Sequence, residues 1–155
     1  MSFRVSGLAA APFQPLFALS DEVLAARAIC RVIADEKPGF PCRVSLEDAN
    51  PGERLLLLPY EHQTALTPYR ASGPIFVREQ SGKAFDRVGE IPPVLRNRLL
   101  SLRAYDGEGT MLDADVTEGG QVEDLIVRLF SDARVQTIHA HFARRGCYAC
   151  RIGRA

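Results

Sequence analysis

The chain has 155 residues, 46% of them hydrophobic and 25% charged, and its 19 basic and 19 acidic side chains leave a formal net charge of zero. That length fits one domain, residues 1–155, burying roughly 68–70% of its unfolded surface. Zero net charge argues against nucleic acid as a partner, because neutralising phosphates takes a surplus of cations. No run approaches the ~20 apolar residues that span a bilayer.

Met1 to Leu19 is interrupted by Pro12 and Pro15 and has no charged segment ahead of a long apolar core, so the chain reads as mature and cytoplasmic. Its four cysteines are too few for a disulfide framework and are expected as thiols. Arginine outnumbers lysine 17 to 2. A GC-rich bacterial genome accounts for such a bias, so arginine counts alone carry little functional weight.

Phe3 to Leu8 reads as a first strand. Ser20-Asp21-Glu22 is a helix start, a capping residue followed by acids in the first turn. Val23, Ala26, Cys30 and Ile33 continue at helical spacing, with Pro38-Gly39 as the latest stop; an earlier stop frees Arg31 to Ala34 as a strand. Cys42, Val44 and Leu46 alternate with Arg43 and Ser45, the pattern of a half-buried strand. Asn50-Pro51-Gly52 offers a type II turn, and Leu55 to Leu58 follow as an apolar run ending at Pro59, so the pair is predicted to form a hairpin.

Ile75 to Glu79 is another strand candidate. Pro92-Pro93 opens a short helix through Leu100, and Ser101 to Tyr105 extends again. Val122, Leu125, Ile126, Leu129 and Phe130 form one apolar helical stripe. Val135 to Phe142 and Cys147 to Ile152 read as two strands joined through Ala143-Arg144-Arg145-Gly146. This order predicts an α+β domain, a mostly antiparallel sheet packed against two main helices and ending in a C-terminal β-hairpin.

Charge is unevenly spread. Tyr105 to Val127 holds seven acidic residues and no basic one, whereas Ala133 to Ala155 holds five arginines and no acid. Either the two segments neutralise each other, or a cationic pocket stays open for an anionic ligand. Asp106-Gly107-Glu108-Gly109 superficially resembles a calcium loop, but its sixth and twelfth positions are Met111 and Thr117 rather than glycine and glutamate.

The C-terminal hairpin carries the candidate chemistry. A three-residue turn, Arg144 to Gly146, sets His141 opposite Ala149 and His139 opposite Arg151. It gathers Ile138, Ala140, Phe142, Tyr148, Cys150 and Ile152 on an apolar face and His139, His141, Cys147 and Arg151 on a polar one. Cys147 and Cys150 then point to opposite faces, which removes them as a shared metal or disulfide site. His139 and His141 project from one face with Cα atoms ~6.6–6.8 Å apart, a spacing that suits two ligands of one metal or two groups flanking one substrate.

The leading expectation is a small anionic molecule bound, or acted on, at His139 and His141 as acid/base groups. Arg151 would orient the anion, with His62, Arg70 and Cys147 as further ligand-binding residues. No cofactor is expected under that reading. One alternative is a zinc-dependent hydrolase using His62, His139 and His141; another is a non-catalytic structural or protein-interaction domain. Oligomeric state stays open.

One further feature of the sequence is a resemblance. The segments Pro41-Cys42-Arg43-Val44-Ser45-Leu46, Leu57-Leu58-Pro59-Tyr60-Glu61-His62-Gln63 and Pro68 through Glu79, with Leu102-Arg103-Ala104-Tyr105-Asp106 and His139-Ala140-His141 ahead of Gly146-Cys147-Tyr148, resemble a bacterial family known as domain of unknown function 1203. The resemblance covers nearly the whole chain and implies a self-contained domain. It implies no activity and no site residues.

Overall fold

A computed structural model describes residues 1–155. Nine strands form two sheets. The larger has the order β5-β1-β9-β8-β6-β7, built from β1 (Phe3–Ser6), β5 (Asp86–Val88), β6 (Leu99–Tyr105), β7 (Met111–Glu118), β8 (Thr137–Phe142) and β9 (Tyr148–Arg154). The smaller has the order β2-β3-β4, from β2 (Cys30–Ile33), β3 (Arg54–Gln63) and β4 (Ala71–Arg78). Every strand pair is antiparallel. The α+β class and the C-terminal hairpin stand as read from the sequence.

The apolar stripe forms α3 (Val122–Phe130) with all five stripe residues buried. They pack on Leu100, Leu102, Ala104, Ile138, Ala140, Phe142 and Ile152, the inward residues of β6, β8 and β9, in a core of 20 buried side chains. Period-two alternation turns His139 and His141 to the other face of the sheet. There the smaller sheet packs: β4 contacts β9, and Tyr60 and His62 of β3 lie against Tyr148. A sheet thus covers the second face.

Helix α1 (Asp21–Ala26) is capped as expected, the Ser20 hydroxyl accepting from the Val23 N–H at 3.2 Å. It ends early. Ala28 turns to φ 59° and releases Cys30–Ile33 as a strand, the shorter of the two readings. Helix α2 (Pro93–Arg96) is likewise a single turn, because Leu99 and Leu100 are taken into β6.

The predicted strand Cys42–Leu46 is a correction. Cys42, Val44 and Leu46 are buried, but so is Arg43, at 1% exposure, so the segment has no solvated face. It coils into a turn with the Leu46 N–H donating to the Cys42 carbonyl. The Asn50-Pro51-Gly52 turn does form, with Gly52 at φ 92°. It joins β3 to β2 instead, pairing Val32 with Leu55.

Pro59 does not end β3 either. It faces Pro74 in the β3–β4 register, a non-hydrogen-bonded pair that asks neither ring for an N–H. The acidic stretch supplied no strand signal yet forms β7, an edge strand whose middle residues are all exposed. Its alternation is masked because only β6 and α3 need its inner side.

Burial decides the cost of trimming α3. Ile126 is fully buried and Val127 is 49% exposed. Ile126→Ala is expected to lower unfolding free energy by about 2–5 kcal/mol, and Val127→Ala by no more than about 0.5 kcal/mol, in urea titrations.

Candidate metal centre

Three histidines meet where the smaller sheet covers β8. His62 comes from the end of β3, where Glu61 pairs with Ser72 and Gln63 with Ala71, leaving His62 as the extra residue of a bulge. His139 and His141 come from β8. The ring centroids of His62 and His141 are 4.9 Å apart and those of His62 and His139 are 6.4 Å apart, both edge-on. One ring nitrogen from each lies within 4.8 Å of the other two. Such a triangle has a centre at most about 2.8 Å from all three atoms, so closing onto a zinc ion at ~2.0–2.1 Å takes less than 1 Å per side chain.

The hydrogen bonding is uneven in an informative way. Only four buried side-chain nitrogen or oxygen atoms in the protein lack a partner, and three are His62 Nδ1, His139 Nδ1 and His141 Nε2. Unpartnered buried polar atoms are rare and costly, so three in one cluster mark these nitrogens as candidate ligand atoms. His141 shows how its ring is set: Nδ1 lies 2.9 Å from the Gly146 carbonyl. A carbonyl only accepts, so Nδ1 carries the proton and Nε2 presents a lone pair. Metal-binding histidines are oriented by this kind of second hydrogen bond. Gly146, at φ 81°, makes the turn that brings its carbonyl there.

Burial keeps these imidazoles neutral. It is the main cause holding His139 down to about 4, aided by His62, Arg151 and Arg103. It holds His141 down to about 3, with Arg103, His62 and His139 adding to it and the Gly146 bond opposing. His62 is lowered by burial and by Arg103. No carboxylate contributes to any of the three. Neutral imidazole is the form that ligates a metal.

Tyr148 completes the cluster and corrects the predicted hairpin faces. His139 pairs with Arg151 as expected, but His141 pairs with Tyr148 rather than Ala149. Ala149 is the extra residue of a second bulge and enters the core. Tyr148 is thereby turned onto the histidine face, where its ring stacks on His62 at 5.5 Å and 3° and meets His139 at 5.3 Å and His141 at 5.8 Å edge-on. Burial pushes its phenol well above the ordinary value, so it stays a neutral donor. Tyr105 joins from β6, 4.9 Å from His139 between centroids.

The same bulge removes Cys147 from this face. Its half-buried thiol packs against the α3-side core beside Cys150, not opposite it, and accepts from Arg43 Nη2 at 3.2 Å. Arg43 also donates to the carbonyls of Tyr148 at 2.8 Å and Pro41 at 2.6 Å, pinning the Cys42–Leu46 turn to the hairpin. All four cysteines are free. Arg70 pairs with Glu61 at the surface and makes no contact with the histidines. Arg151 is exposed and donates to Thr137 Oγ1 at 3.2 Å.

Arg103, like Tyr148 and Tyr105, is absent from the site residues expected from sequence. It faces His139 across β6–β8 and influences all three histidines. The expected extended segment Ser101–Tyr105 lies within β6, and the alternation of Arg103 and Tyr105 against Leu102 and Ala104 is the signal that places it.

The depressed values carry a pH dependence. Between pH 6.5 and 4 the unfolded chain binds protons that the buried His139 and His141 refuse, so stability rises with pH there. It is fully present above pH 6.5 and is lost as pH falls through about 4 and then about 3. In metal-free protein the unfolding free energy from urea titrations should drop from pH 7 to pH 4 more steeply than in a His139→Gln/His141→Gln variant, the difference being roughly a few kcal/mol. Equal slopes would refute the buried neutral state.

No curated protein and no solved structure matches the chain. A family model described as "Protein of unknown function (DUF1203)" matches residues 39–154, a span that contains His62, Arg103, His139, His141, Tyr148 and Arg151. The chain therefore belongs to the DUF1203 family.

Proposed function

We propose that this protein is a metal-dependent, small-molecule-acting domain whose centre is one transition-metal ion of the zinc class held by His62, His139 and His141. The observation that supports this most is the coincidence of three neutral imidazoles, two buried and one half-buried, with an unpartnered ring nitrogen on each. Imidazole ligands suit zinc, copper, iron and nickel, and a three-histidine set without carboxylate or thiolate leaves a coordination position open to chemistry. At that position the metal would supply Lewis acidity, which makes hydrolysis the favoured reaction class.

The protein's own residues have separable tasks. His141, fixed by the Gly146 carbonyl, sets the direction of one ligand. Stacking on Tyr148 holds the His62 ring, and the neutral Tyr148 and Tyr105 phenols offer hydrogen-bond donors beside the cluster. We place this domain across residues 1–155 in a bacterial cytoplasm, a reading supported by the arginine bias and the four free thiols.

Titration of chelator-treated protein with Zn²⁺, read by calorimetry and elemental analysis after desalting, is expected to give one equivalent per chain. Single His62→Ala, His139→Ala and His141→Ala variants that keep the native circular dichroism should bind at least tenfold more weakly. Absence of stoichiometric binding by the parent protein to Zn²⁺, Cu²⁺, Ni²⁺ or Fe²⁺ would overturn the reading.

A further inference from the structure

We propose that the three-histidine centre takes an oxyanion, the carboxylate or phosphate group of a small molecule, clamped between Arg103 and Arg151. This rests on the metal reading and names its ligand class. The geometry is a cross-strand row. Arg103 of β6 and Arg151 of β9 are the direct register partners of His139 on its two sides, so all three side chains rise from one face of the sheet. Direct partners have Cβ atoms roughly 4.5–5.5 Å apart, which sets two guanidinium-bearing chains about one metal ligand.

Both guanidiniums lack a counter-charge. Nine other arginines form ion pairs with carboxylates, and neither Arg103 nor Arg151 is among them. Of the seven acids between Tyr105 and Val127, Asp113 and Asp115 bind Arg128 of α3 at 3.1 and 2.9 Å, Glu123 binds Arg96, and none forms an ion pair with an arginine of the hairpin. The acidic stretch therefore does not neutralise the hairpin. A divalent ion on three neutral imidazoles would add two further positive charges to a pocket with no carboxylate of its own. Charge of that density in a partly buried site calls for an anion, and a planar guanidinium on each side matches the oxygens of carboxylate or phosphate.

Partial exposure gives the ligand a way in. Arg151 is exposed and Arg103 and His62 are half-buried, whereas His141 is fully enclosed. An anion would thus approach along the Arg151 side and meet the metal next to His139.

Cobalt(II) loading separates this claim from the one beneath it, because the visible spectrum reports the metal and its change reports the anion. Inorganic phosphate and acetate would be titrated into Co²⁺-loaded parent, Arg103→Gln and Arg151→Gln proteins. The expected result is equal cobalt stoichiometry in all three, a spectral shift with at least one probe in the parent, and at least tenfold weaker anion affinity in each variant. The stronger of the two probes identifies the headgroup. Equal anion affinity in parent and variants, or no response of the loaded parent to either anion, overturns the clamp and leaves the metal site standing. Failure of the parent protein to take up cobalt overturns both.

Discussion

Strand β8 is buried on both faces, with His139, Ala140, His141 and Phe142 in succession all enclosed, and this constraint governs the candidate site. A central strand in such a position usually reads as an unbroken apolar run. Here two of its residues carry ring nitrogens that must be desolvated. On the α3 side, Ile138, Ala140 and Phe142 fill a conventional core. On the other side the smaller sheet closes over the histidines, and protonation is refused because burial strips an imidazolium there of water and the neighbouring Arg103 and histidines repel its charge. One nitrogen of His141 is satisfied by the Gly146 carbonyl, its other nitrogen and the Nδ1 atoms of His62 and His139 have no protein partner, and ring nitrogens of all three histidines lie within 4.8 Å of one another. The metal ion proposed above would take up all three nitrogens at once.

Bulges aim the side chains. His62 is the extra residue on β3, and Ala149 the extra residue on β9; Leu112 plays the same part on β7, opposite the end of β6 that bears Tyr105. Each re-aims a side chain without breaking the sheet, the use to which bulges are put beside functional sites. Regular pairing of β8 and β9 would have sent Tyr148 into the α3 core and left Cys147 among the histidines. Arg43 reinforces the observed arrangement, since its guanidinium reaches the Tyr148 carbonyl, the Cys147 sulfur and the Pro41 carbonyl at once.

What was legible from sequence followed periodicity. The α3 stripe, the C-terminal hairpin, the shared face of His139 and His141 and the α+β class all rest on spacing alone, and spacing is local. Long-range choices were not. Nothing in Leu55–Leu58 says that its partner is Cys30–Ile33 rather than Cys42–Leu46, because both segments alternate and only the buried Arg43 settles it. Tyr148 was hidden by a one-residue bulge, and Arg103 by an arginine-rich composition in which no single arginine stands out. His62 could be named but not placed, since it lies 77 positions before His139 in the sequence. Arg70 was drawn in by its position beside a strand, yet Glu61, nine residues away, holds it.

The central claim is that three imidazoles and no other protein side chains bind one ion. X-ray absorption on the zinc-loaded protein reads that ligand set directly. The structure predicts three imidazole nitrogens with Zn–N near ~2.0–2.1 Å, the outer-ring scattering of histidine, and no sulfur shell at ~2.3 Å. A sulfur shell would move the metal to Cys147 or Cys150, and one imidazole or none would show that the histidine cluster is not the metal's site.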